Sequence, residues 1–424
     1  MTAHPTELVQ IEKPVYGGDF LARVEGKAVF IPLTLPGEQV QVRITQDKRG
    51  YSTAEAEEIV VAAPERIVPT CRHFGVCGGC SYQHTDYATQ LALKQAILRE
   101  TMERGGVHAP AEITVLSAEP WGYRNRIRLA FDAQGNPGYR GRRSHAVVPI
   151  SECPIAAPLL VNAAMAAAEI LRRTHQRPAE ISLFCDAQET ALLVSMMTDN
   201  PAKAQVDDFA RALNERVPAL KGVELVTEGL AGRQPRTVAR WGALSLSYRA
   251  AGFDYRVDQG AFFQVNRRLV DALVDRVTAG CKGALALDLF AGVGLFARQL
   301  AASFERVVAV ESAPAAMVAL EENLSGTAGA AVRADALAFL GKRHKERPDL
   351  IVVDPPRIGL GSEITALLSS VAAPEMVYVS CDPATLARDL QKLVSSGYNI
   401  ESVTLADLFP QTFHLETVVR LRRA

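Results

Sequence analysis

The sequence has no long apolar run. No stretch reaches about 18 uninterrupted apolar residues, the minimum for a helix that spans a membrane. Residues 1–10 also lack the basic and then apolar segments of a secretory signal. We therefore expect a protein that needs no membrane and that stays in the cytosol.

Net charge is nearly absent as well. The chain has 46 basic and 47 acidic residues, which leaves a formal charge of −1 at pH 7. This balance excludes the global basic field that attracts nucleic acid over a whole surface. Any site for a polyanion must therefore be a local patch of basic residues.

The chain is long enough for several domains. It has 424 residues, 48% of them hydrophobic, and domains average about 150 residues. We predict a β-barrel over 1–64, a central α/β domain over 65–250 and an α/β domain over 251–424. A helix over 85–105 is expected to pack on the last of these. The seven cysteines should be thiols or metal ligands, because disulfides are rare in the cytosol.

The N-terminal segment has the short strands and turns of a small all-β module. Strand-like runs over 28–33, 38–44 and 54–60 are separated by turns that contain glycine. Basic and acidic residues are nearly balanced in it, which is typical of a solvated barrel surface. The alternative is an oligonucleotide-binding barrel, whose shallow face needs only a few cations and aromatic side chains.

Three cysteines lie close together after the predicted barrel. Cys71, Cys77 and Cys80 have a C-x5-C-x2-C spacing, with two glycines between the last two. Free cysteines usually occur singly in apolar cores, so this spacing indicates a metal centre. The candidates for a fourth ligand are Cys153, His73 and His84. Zinc and an iron–sulfur cluster each take four ligands, and both fit this pattern.

A local basic patch follows. Residues 121–145 contain six arginines and one acid, Asp132, which gives a local net charge of +5. The arginines are Arg124, Arg126, Arg128, Arg140, Arg142 and Arg143. The first three recur with a period of two, so a strand would place them on one face. That face is either a solubilising surface or a site for RNA phosphates.

The segment LALDLFAGVGLFARQL has the strand, glycine turn and helix of a nucleotide site. The strand reaches Asp288, and Gly292 and Gly294 let a ligand approach the backbone where Cβ atoms would block it. The next strand ends at Glu311, about twenty residues later, where a carboxylate commonly binds ribose hydroxyls. The third glycine of the dinucleotide fingerprint is missing. The pattern therefore predicts an adenosyl ligand.

An acid follows the next buried strand. The strand over 350–353 runs into Asp354-Pro355-Pro356-Arg357. The carboxyl ends of parallel strands face the ligand crevice, so Asp354 should lie there. An Asn-Pro-Pro-aromatic segment at this place would suit methylation of an exocyclic amine. The acid and the arginine argue against an amine acceptor.

Two more reactive groups come near the end of the chain. Cys381 follows a strand over 376–379 and precedes Asp382 and Pro383, which cap and begin a helix. A helix N-terminus favours the thiolate, so Cys381 is a candidate nucleophile rather than a packing residue. Glu416 begins the final strand, where it is either a solvated edge residue or a general base.

These motifs together resemble the RNA uracil-5-methyltransferase family, most closely its cluster-containing branch that methylates uridine in 23S ribosomal RNA. The motifs are CRHFGVCGGC with a distant ECPI, FFQVN, LDLFAGVG, DPPR, SCDPATLARD and FPQTFHLE. The resemblance implies a multidomain fold. An OB-like TRAM barrel would precede a central α/β domain with an iron–sulfur site and a Rossmann-like class I methyltransferase domain.

The resemblance also implies the residues of each site. It implies a 4Fe–4S cluster rather than zinc, with Cys381 as the nucleophile that attacks C6 of uracil and Glu416 as the base. The implied cluster ligands are Cys71, Cys77, Cys80 and Cys153. The residues implied around S-adenosylmethionine are Gln264, Phe290, Gly292, Glu311, Asp335 and Asp354.

The partner implied by the resemblance is an unstacked uridine of 23S rRNA, bound by a monomer. Two alternatives stay open. The first is a transfer RNA uridine methylase, which would use the same residues, and DPPR is nearer to the pattern of such sister branches. The second is an RNA-binding iron–sulfur protein with a vestigial methylase site. Retention of both Cys381 and Glu416 argues against it, because binding alone needs neither.

Overall fold

The computed structural model describes residues 6–174, 176, 178–198, 203–227, 236–342 and 346–424, with no side chains for 203–205. Residues 1–5, half of the stretch predicted to lack a signal segment, lie outside the described residues. Among the described helices, none combines the length and the apolar character needed to cross a membrane.

The N-terminal part is a six-stranded sheet with its own core. Its strands are β1 (Thr6–Gln10), β2 (Lys13–Pro14), β3 (Asp19–Val24), β4 (Lys27–Pro32), β5 (Gln39–Asp47) and β6 (Tyr51–Val61). Their order in the sheet is β1-β5-β6-β4-β3-β2. The alternating buried residues of the strands, such as Phe20, Ile31 and Val40, form the core. The three predicted strands are confirmed as β4, β5 and β6, whereas β1, β2 and β3 were not predicted.

An irregular segment with the three close cysteines leads from β6 into α1 (Tyr87–Arg104) and β7 (Thr114–Leu116). Helix α1 is the predicted helix over 85–105. It begins where the Asp86 carboxylate accepts a hydrogen bond from the Thr89 backbone N–H, and Gly105 ends it.

The central part is a seven-stranded sheet with two helices. Its elements are β8 (Arg126–Phe131), β9 (Pro137–Arg140), β10 (Val147–Pro149), α2 (Pro158–Arg173), β11 (Glu180–Cys185), β12 (Leu192–Met197), α3 (Lys203–Arg216), β13 (Leu220–Thr227) and β14 (Arg236–Gly242). The strand order is β10-β9-β8-β11-β12-β13-β14. Small residues of α2, including Ala163 and Ala167, allow the helix to lie close on the sheet. Buried Cys185 is a packing residue of this core, as predicted.

The C-terminal part alternates strands and helices after a short hairpin. Its elements are β15 (Ser245–Ala250), β16 (Phe253–Asp258), α4 (Val270–Thr278), β17 (Gly283–Leu289), α5 (Leu295–Leu300), β18 (Phe304–Glu311), α6 (Pro314–Leu324), β19 (Gly329–Arg333), α7 (Ala336–Leu340), β20 (Leu350–Val353), α8 (Gly361–Val371), β21 (Glu375–Ser380), α9 (Pro383–Ser395), β22 (Tyr398–Ala406) and β23 (Glu416–Arg423). The predicted strand over 350–353 and the predicted helix start at Pro383 are confirmed.

The C-terminal elements form one eight-stranded sheet. Its order is β19-β18-β17-β20-β21-β23-β22-β7, and the first five strands are parallel. The direction of the strand order reverses between β17 and β20, so a crevice opens there at the carboxyl ends of the strands. Strand β7 pairs in parallel with β22 at the edge, an addition that the sequence did not predict.

Strand β23 is antiparallel and lies between β21 and β22. Its register pairs Thr417 with Ser380, the last residue of β21. The residue before Thr417 and the residue after Ser380 therefore meet at the carboxyl end of the sheet. These two residues are Glu416 and Cys381, which lie 35 positions apart in the sequence.

Helix α1 joins the N-terminal part to the C-terminal sheet. It packs against α9, and a Cβ atom on Gly105 would lie 2.7 Å from the Ala387 Cβ atom of α9. Lys94 of α1 is fully buried and its Nζ atom lies 2.5 Å from the Asp407 carboxylate, just beyond β22. Burial without a partner would be costly for either charge, so this ion pair holds α1 against the start of the loop before β23.

Candidate active site and cysteine site

The glycine turn after β17 forms one wall of the crevice. Phe290 has a φ of 64°, and Gly292 has a φ of 56° with open space where a Cβ atom would be. The Gly292 backbone N–H donates to the Glu311 carboxylate at 2.9 Å. The turn is thus fixed against the end of β18, with open space at the place where the sequence predicts an adenosyl ligand.

Asp288 lies beneath this turn and is fully buried. One carboxylate oxygen accepts a hydrogen bond from the Ala297 N–H of α5 at 2.9 Å, and the other has no partner. Burial, together with the charges of Asp354 and Glu311, raises the pKa of Asp288 to about 8. Several carboxylates therefore share one crevice. A positively charged ligand would favour their ionised forms.

The other residues predicted around the cofactor lie on neighbouring parts of the same edge. Gln264 is buried between β16 and α4, and its carbonyl accepts a hydrogen bond from Asn125 at 2.9 Å. Asp335 is exposed after β19, where its carboxylate caps α7. Asp354 follows β20 directly. The carboxyl ends of four adjacent parallel strands thus supply Asp335, Glu311, the glycine turn and Asp354, whereas Gln264 comes from the segment between β16 and α4.

Cys381 lies at the carboxyl end of β21 and is half-buried. Asp382 caps α9 by accepting hydrogen bonds from two backbone N–H groups, as the sequence predicts. Burial, followed by the charges of Glu416 and Asp354, raises the pKa of the Cys381 thiol to about 11, although Arg357 opposes the increase. A backbone hydrogen bond at the helix terminus lowers the pKa, in the direction that the sequence predicts, but burial and the carboxylates outweigh it.

Glu416 is buried beside the thiol, with 4% of its surface exposed. Burial raises its pKa well above the usual value, and the charge of Asp354 adds to the increase. Burial also raises the pKa of Asp354 to about 7. Glu416 is therefore not a solvated edge residue. Burial and the neighbouring carboxylates thus favour the neutral forms of Cys381 and Glu416.

Two residues near Cys381 were not predicted. The Tyr16 hydroxyl, from the turn between β2 and β3, donates to the Cys381 carbonyl oxygen at 3.3 Å. The Nδ1 atom of His414 lies 3.3 Å from a guanidinium nitrogen of Arg357. Burial lowers the pKa of His414 to about 4, so this imidazole is neutral. No local pattern in the sequence indicated this contact of Tyr16.

The four cysteines implied as metal ligands line one cavity of about 80 Å³. Cys153 joins the three close cysteines there despite its distance in the sequence, and His73 also lines the cavity. His84 does not, since its Nε2 atom lies 3.0 Å from the Thr34 carbonyl oxygen in the barrel core. Cys153, and not His84, is thus placed to complete a set of four.

The thiols of the cysteine site line a cavity. In the parts of the chain that the structure describes, no three His, Cys, Asp or Glu side chains converge closely enough to bind one metal ion. The thiols instead surround a space. The Nε atom of Arg124 is buried at this cavity without a hydrogen-bond partner, and the Tyr139 hydroxyl lies 3.8 Å from the Cys153 sulfur. A negatively charged group held by the thiolates would neutralise Arg124.

Arg126 does not face solvent as the basic patch requires. Its guanidinium donates to the Ala261 carbonyl at 2.7 Å and lies over the Phe184 ring, 4.4 Å from the centroid. Burial lowers its pKa to about 10. The expectation that Arg126 contacts phosphate is therefore wrong, because the side chain holds the loop that leads to Gln264.

Acidic partners neutralise much of the remaining patch. The ion pairs are Arg128 with Glu180, Arg140 with Glu180, and Arg143 with Asp19. Arg143 thereby joins the central sheet to the barrel. The local charge of +5 counted only the acid within the segment, whereas these carboxylates come from distant strands.

Comparisons with known proteins identify the family. Residues 5–56 match the model of the TRAM domain, and residues 344–424 match that of tRNA (Uracil-5-)-methyltransferase. The chain is 35% identical to the 23S rRNA (uracil(1939)-C(5))-methyltransferase RlmD of Aeromonas hydrophila, covering 95% of this chain and 93% of that protein. The chain belongs to the RNA uracil-5-methyltransferase family. It is an enzyme that methylates uracil C5 in RNA with S-adenosylmethionine as the methyl donor.

Other members of the RNA uracil-5-methyltransferase family are similar over the same length. An uncharacterised RNA methyltransferase of Streptomyces avermitilis is 34% identical, covering 98% of each chain. The crystal structure of the Pyrococcus abyssi tRNA (uracil-54, C5)-methyltransferase, a complex with S-adenosyl-L-homocysteine, has a TM-score of 0.78. It is 24% identical and covers 98% of this chain and 100% of its own. The three-part fold is thus the fold of a solved protein.

The raised pKa of Cys381 yields a testable prediction. Asp354→Asn should lower the pH at which iodoacetamide modifies Cys381 half-maximally, because a carboxylate beside a thiol disfavours the thiolate. The effect should grow above pH 7, where Asp354 ionises. Asp349→Asn is the matched control, since Asp349 precedes the opposite end of β20. An equal shift in both variants, measured by mass spectrometry of the labelled peptide, would contradict this electrostatic account.

Proposed function

We propose that the protein methylates C5 of a specific uridine in 23S rRNA through a covalent adduct between Cys381 and C6 of the uracil. The meeting of Cys381 and Glu416 at the end of β21 carries this proposal. Relatives of 34–35% identity that are named as 23S rRNA methyltransferases support the choice of RNA. The alternative is a uridine in tRNA, which the same residues would serve.

Cys381 and Glu416 are suited to two successive steps of the proposed methyl transfer. Uracil C5 is a poor nucleophile, and attack of the Cys381 thiolate at C6 turns the C5–C6 π bond into an enolate with electron density at C5. C5 then takes the methyl group, and the electron pair of the broken carbon–sulfur bond stays on the neutral sulfur of the donor. Glu416 takes the C5 proton, the C5–C6 double bond forms again, and the Cys381–C6 bond breaks to release the thiolate.

The raised pKa values of Cys381 and Glu416 bear on both proposed steps. Cys381 must lose its proton before attack, and Glu416 must be ionised when it acts as base. S-adenosylmethionine supplies an electrophilic methyl group on a positively charged sulfur when it is bound. A positive charge beside Asp354 would favour the ionised carboxylates and thiol. Arg357 already acts in this direction on Cys381 and Glu416.

The cofactor site would use the residues on the carboxyl edge of the sheet. The open space at Gly292 admits a ligand against the backbone, and Glu311 is placed for the ribose hydroxyls. The residues that would hold S-adenosylmethionine are Gln264, Phe290, Gly292, Glu311, Asp335 and Asp354. The unpartnered oxygen of Asp288 supports a cationic ligand nearby.

We infer that Cys71, Cys77, Cys80 and Cys153 hold a 4Fe–4S cluster. The cavity that separates the thiols and the buried guanidinium of Arg124 support a negatively charged group larger than one ion. A cluster has a structural or RNA-orienting role here, because this methyl transfer moves no electrons into or out of the protein.

The choice of RNA is tested by mapping 5-methyluridine in a strain that lacks the gene. We expect one 5-methyluridine to disappear from 23S rRNA and to return when the gene is restored. A gene with Cys381→Ala is the control and should not restore it. Loss of 5-methyluridine from tRNA, with 23S rRNA unchanged, would replace the ribosomal substrate by the alternative.

In the proposed mechanism Cys381 attacks before Glu416 removes the C5 proton, so variants of the two residues should behave differently. Cys381→Ala should bind RNA and cofactor without forming any covalent adduct. Glu416→Gln should methylate once and stall, leaving protein joined to RNA in a band that survives denaturing electrophoresis and carries the methyl label. Turnover by Glu416→Gln should fall by a factor on the order of 10²–10⁴, the usual contribution of a general base.

Wild-type enzyme with RNA that contains 5-fluorouridine is the control for this experiment. It should give the same stalled band, since fluorine cannot leave as a proton. If Glu416→Gln turns over normally or gives no labelled band, the base must be another residue. Asp354 is then the next carboxylate to test.

The cluster proposal predicts the metal content. Protein purified without oxygen should be brown and contain iron and sulfide in equal amounts. Cys153→Ser should lose both, whereas Cys185→Ser, which changes a buried cysteine of the neighbouring core, should keep them. Colourless protein with one zinc ion per chain would refute the cluster.

A further inference from the structure

The loop between β22 and β23, residues 407–415, carries the chain to Glu416. We name it the base loop. Gln411 lies at its centre, is 2% exposed, and has a φ of 68°. This left-handed conformation is uncommon for a residue with a side chain, and it persists only where the surroundings hold it.

The segment that follows the close cysteines holds Gln411 from one side. The Gln411 carbonyl oxygen accepts hydrogen bonds from the backbone N–H groups of Ser81 and Tyr82, at 2.9 and 3.1 Å. Ser81 directly follows Cys80, one of the four cysteines of the cavity. Cys80 is therefore connected to the base loop through the Cys80–Ser81 peptide bond and the hydrogen bond from Ser81 to Gln411.

Helix α1 holds Gln411 from the other side. The Gln411 backbone N–H donates to the Gln90 side-chain oxygen at 3.0 Å, and the Gln90 amide donates to the Gln411 side-chain oxygen at 2.9 Å. Lys94, one turn further along α1, donates to the Phe409 carbonyl at 3.0 Å. The base loop is thus fixed at several backbone positions by elements outside the C-terminal sheet.

We propose that Gln411 is a positioning residue for Glu416 and that it couples the cysteine site to the removal of the C5 proton. The inference rests on the proposed function, in which Glu416 acts only after methyl transfer. Adduct formation needs Cys381 on β21 and does not need the base loop in its final place. Loss of the Gln411 contacts therefore slows release of the methylated RNA and leaves the first attack intact.

The test compares adduct formation with adduct release. Gln411→Gly loses the side-chain hydrogen bond to Gln90 while tolerating the positive φ. Gln90→Leu removes this bond and also the acceptor of the Gln411 backbone N–H. Both should trap 5-fluorouridine RNA at the wild-type rate. With ordinary RNA both should accumulate the methylated adduct, and kcat should fall about ten- to a hundredfold with KM for RNA unchanged.

Gln95→Leu is the matched control. Gln95 also lies on α1 and donates to a backbone carbonyl, that of Ile113 at 2.9 Å, which is not part of the base loop. It should leave both rates unchanged. The double variant of Gln90 and Gln411 should be no slower than Gln90→Leu alone, because Gln90→Leu already removes the side-chain hydrogen bond that Gln411→Gly breaks.

The coupling to the cysteine site has a readout that does not depend on activity. Hydrogen exchange of the peptide over 407–415, followed by mass spectrometry, should speed up in Gln411→Gly and in Cys153→Ser. Cys185→Ser should not change it. Faster exchange in Gln411→Gly alone would overturn the coupling to the cysteine site.

The outcomes separate this inference from the proposed function. If wild-type enzyme gives no adduct with 5-fluorouridine RNA, the covalent mechanism fails and the inference fails with it. If wild-type enzyme gives the adduct but Gln411→Gly releases methylated RNA at the wild-type rate, only the inference fails. If Gln411→Gly slows adduct formation and adduct release equally, Gln411 has a general structural role and the inference is overturned.

Discussion

The antiparallel insertion of β23 between β21 and β22 is the constraint on which the active site depends. Parallel strands bring only their carboxyl ends to the crevice, so each of them contributes the residues that follow it. The reversed direction of β23 places its first residue, Glu416, beside Cys381 at the end of β21. Strand pairing fixes the register, and a slip of one residue would turn every side chain of β23 to the other face of the sheet. The catalytic pair is therefore set by the same hydrogen bonds that form the core of the domain.

The same arrangement buries several ionisable groups close together, which raises their pKa values. Asp288, Asp354 and Glu416 share a crevice with a thiol, and burial raises the pKa of all four groups. Hydrogen bonds from the helix terminus, which lower the pKa of a cysteine, are too weak to compensate for burial beside other acids. In the proposed reaction, a cationic methyl donor would both supply the methyl group and favour the ionised forms of these groups.

Sequence patterns predicted the parts of the site that are local along the chain. The strand before Asp354, the helix start at Pro383 and the strand that begins at Glu416 each depend on hydrophobic runs and caps within a few residues. The pKa of Cys381, the ion pairs of the arginine patch and the contact of Tyr16 depend on side chains that come from distant segments. No periodicity carries that information, which explains why the charge of the patch was overestimated and Tyr16 was missed.

Tyr16 brings the N-terminal barrel into contact with the residue that follows β21. A TRAM-type barrel suggests a separate RNA-binding module, yet its turn between β2 and β3 lies against both catalytic segments. Tyr16 bonds to the Cys381 carbonyl, and its ring packs edge-on against Phe413 with centroids 5.9 Å apart. A Cβ atom on Gly18 would lie 3.1 Å from the Phe413 ring, so glycine permits this close approach. The barrel and the segment that follows β21 are therefore in direct contact. If RNA binds the barrel, it binds next to the residue proposed as the nucleophile.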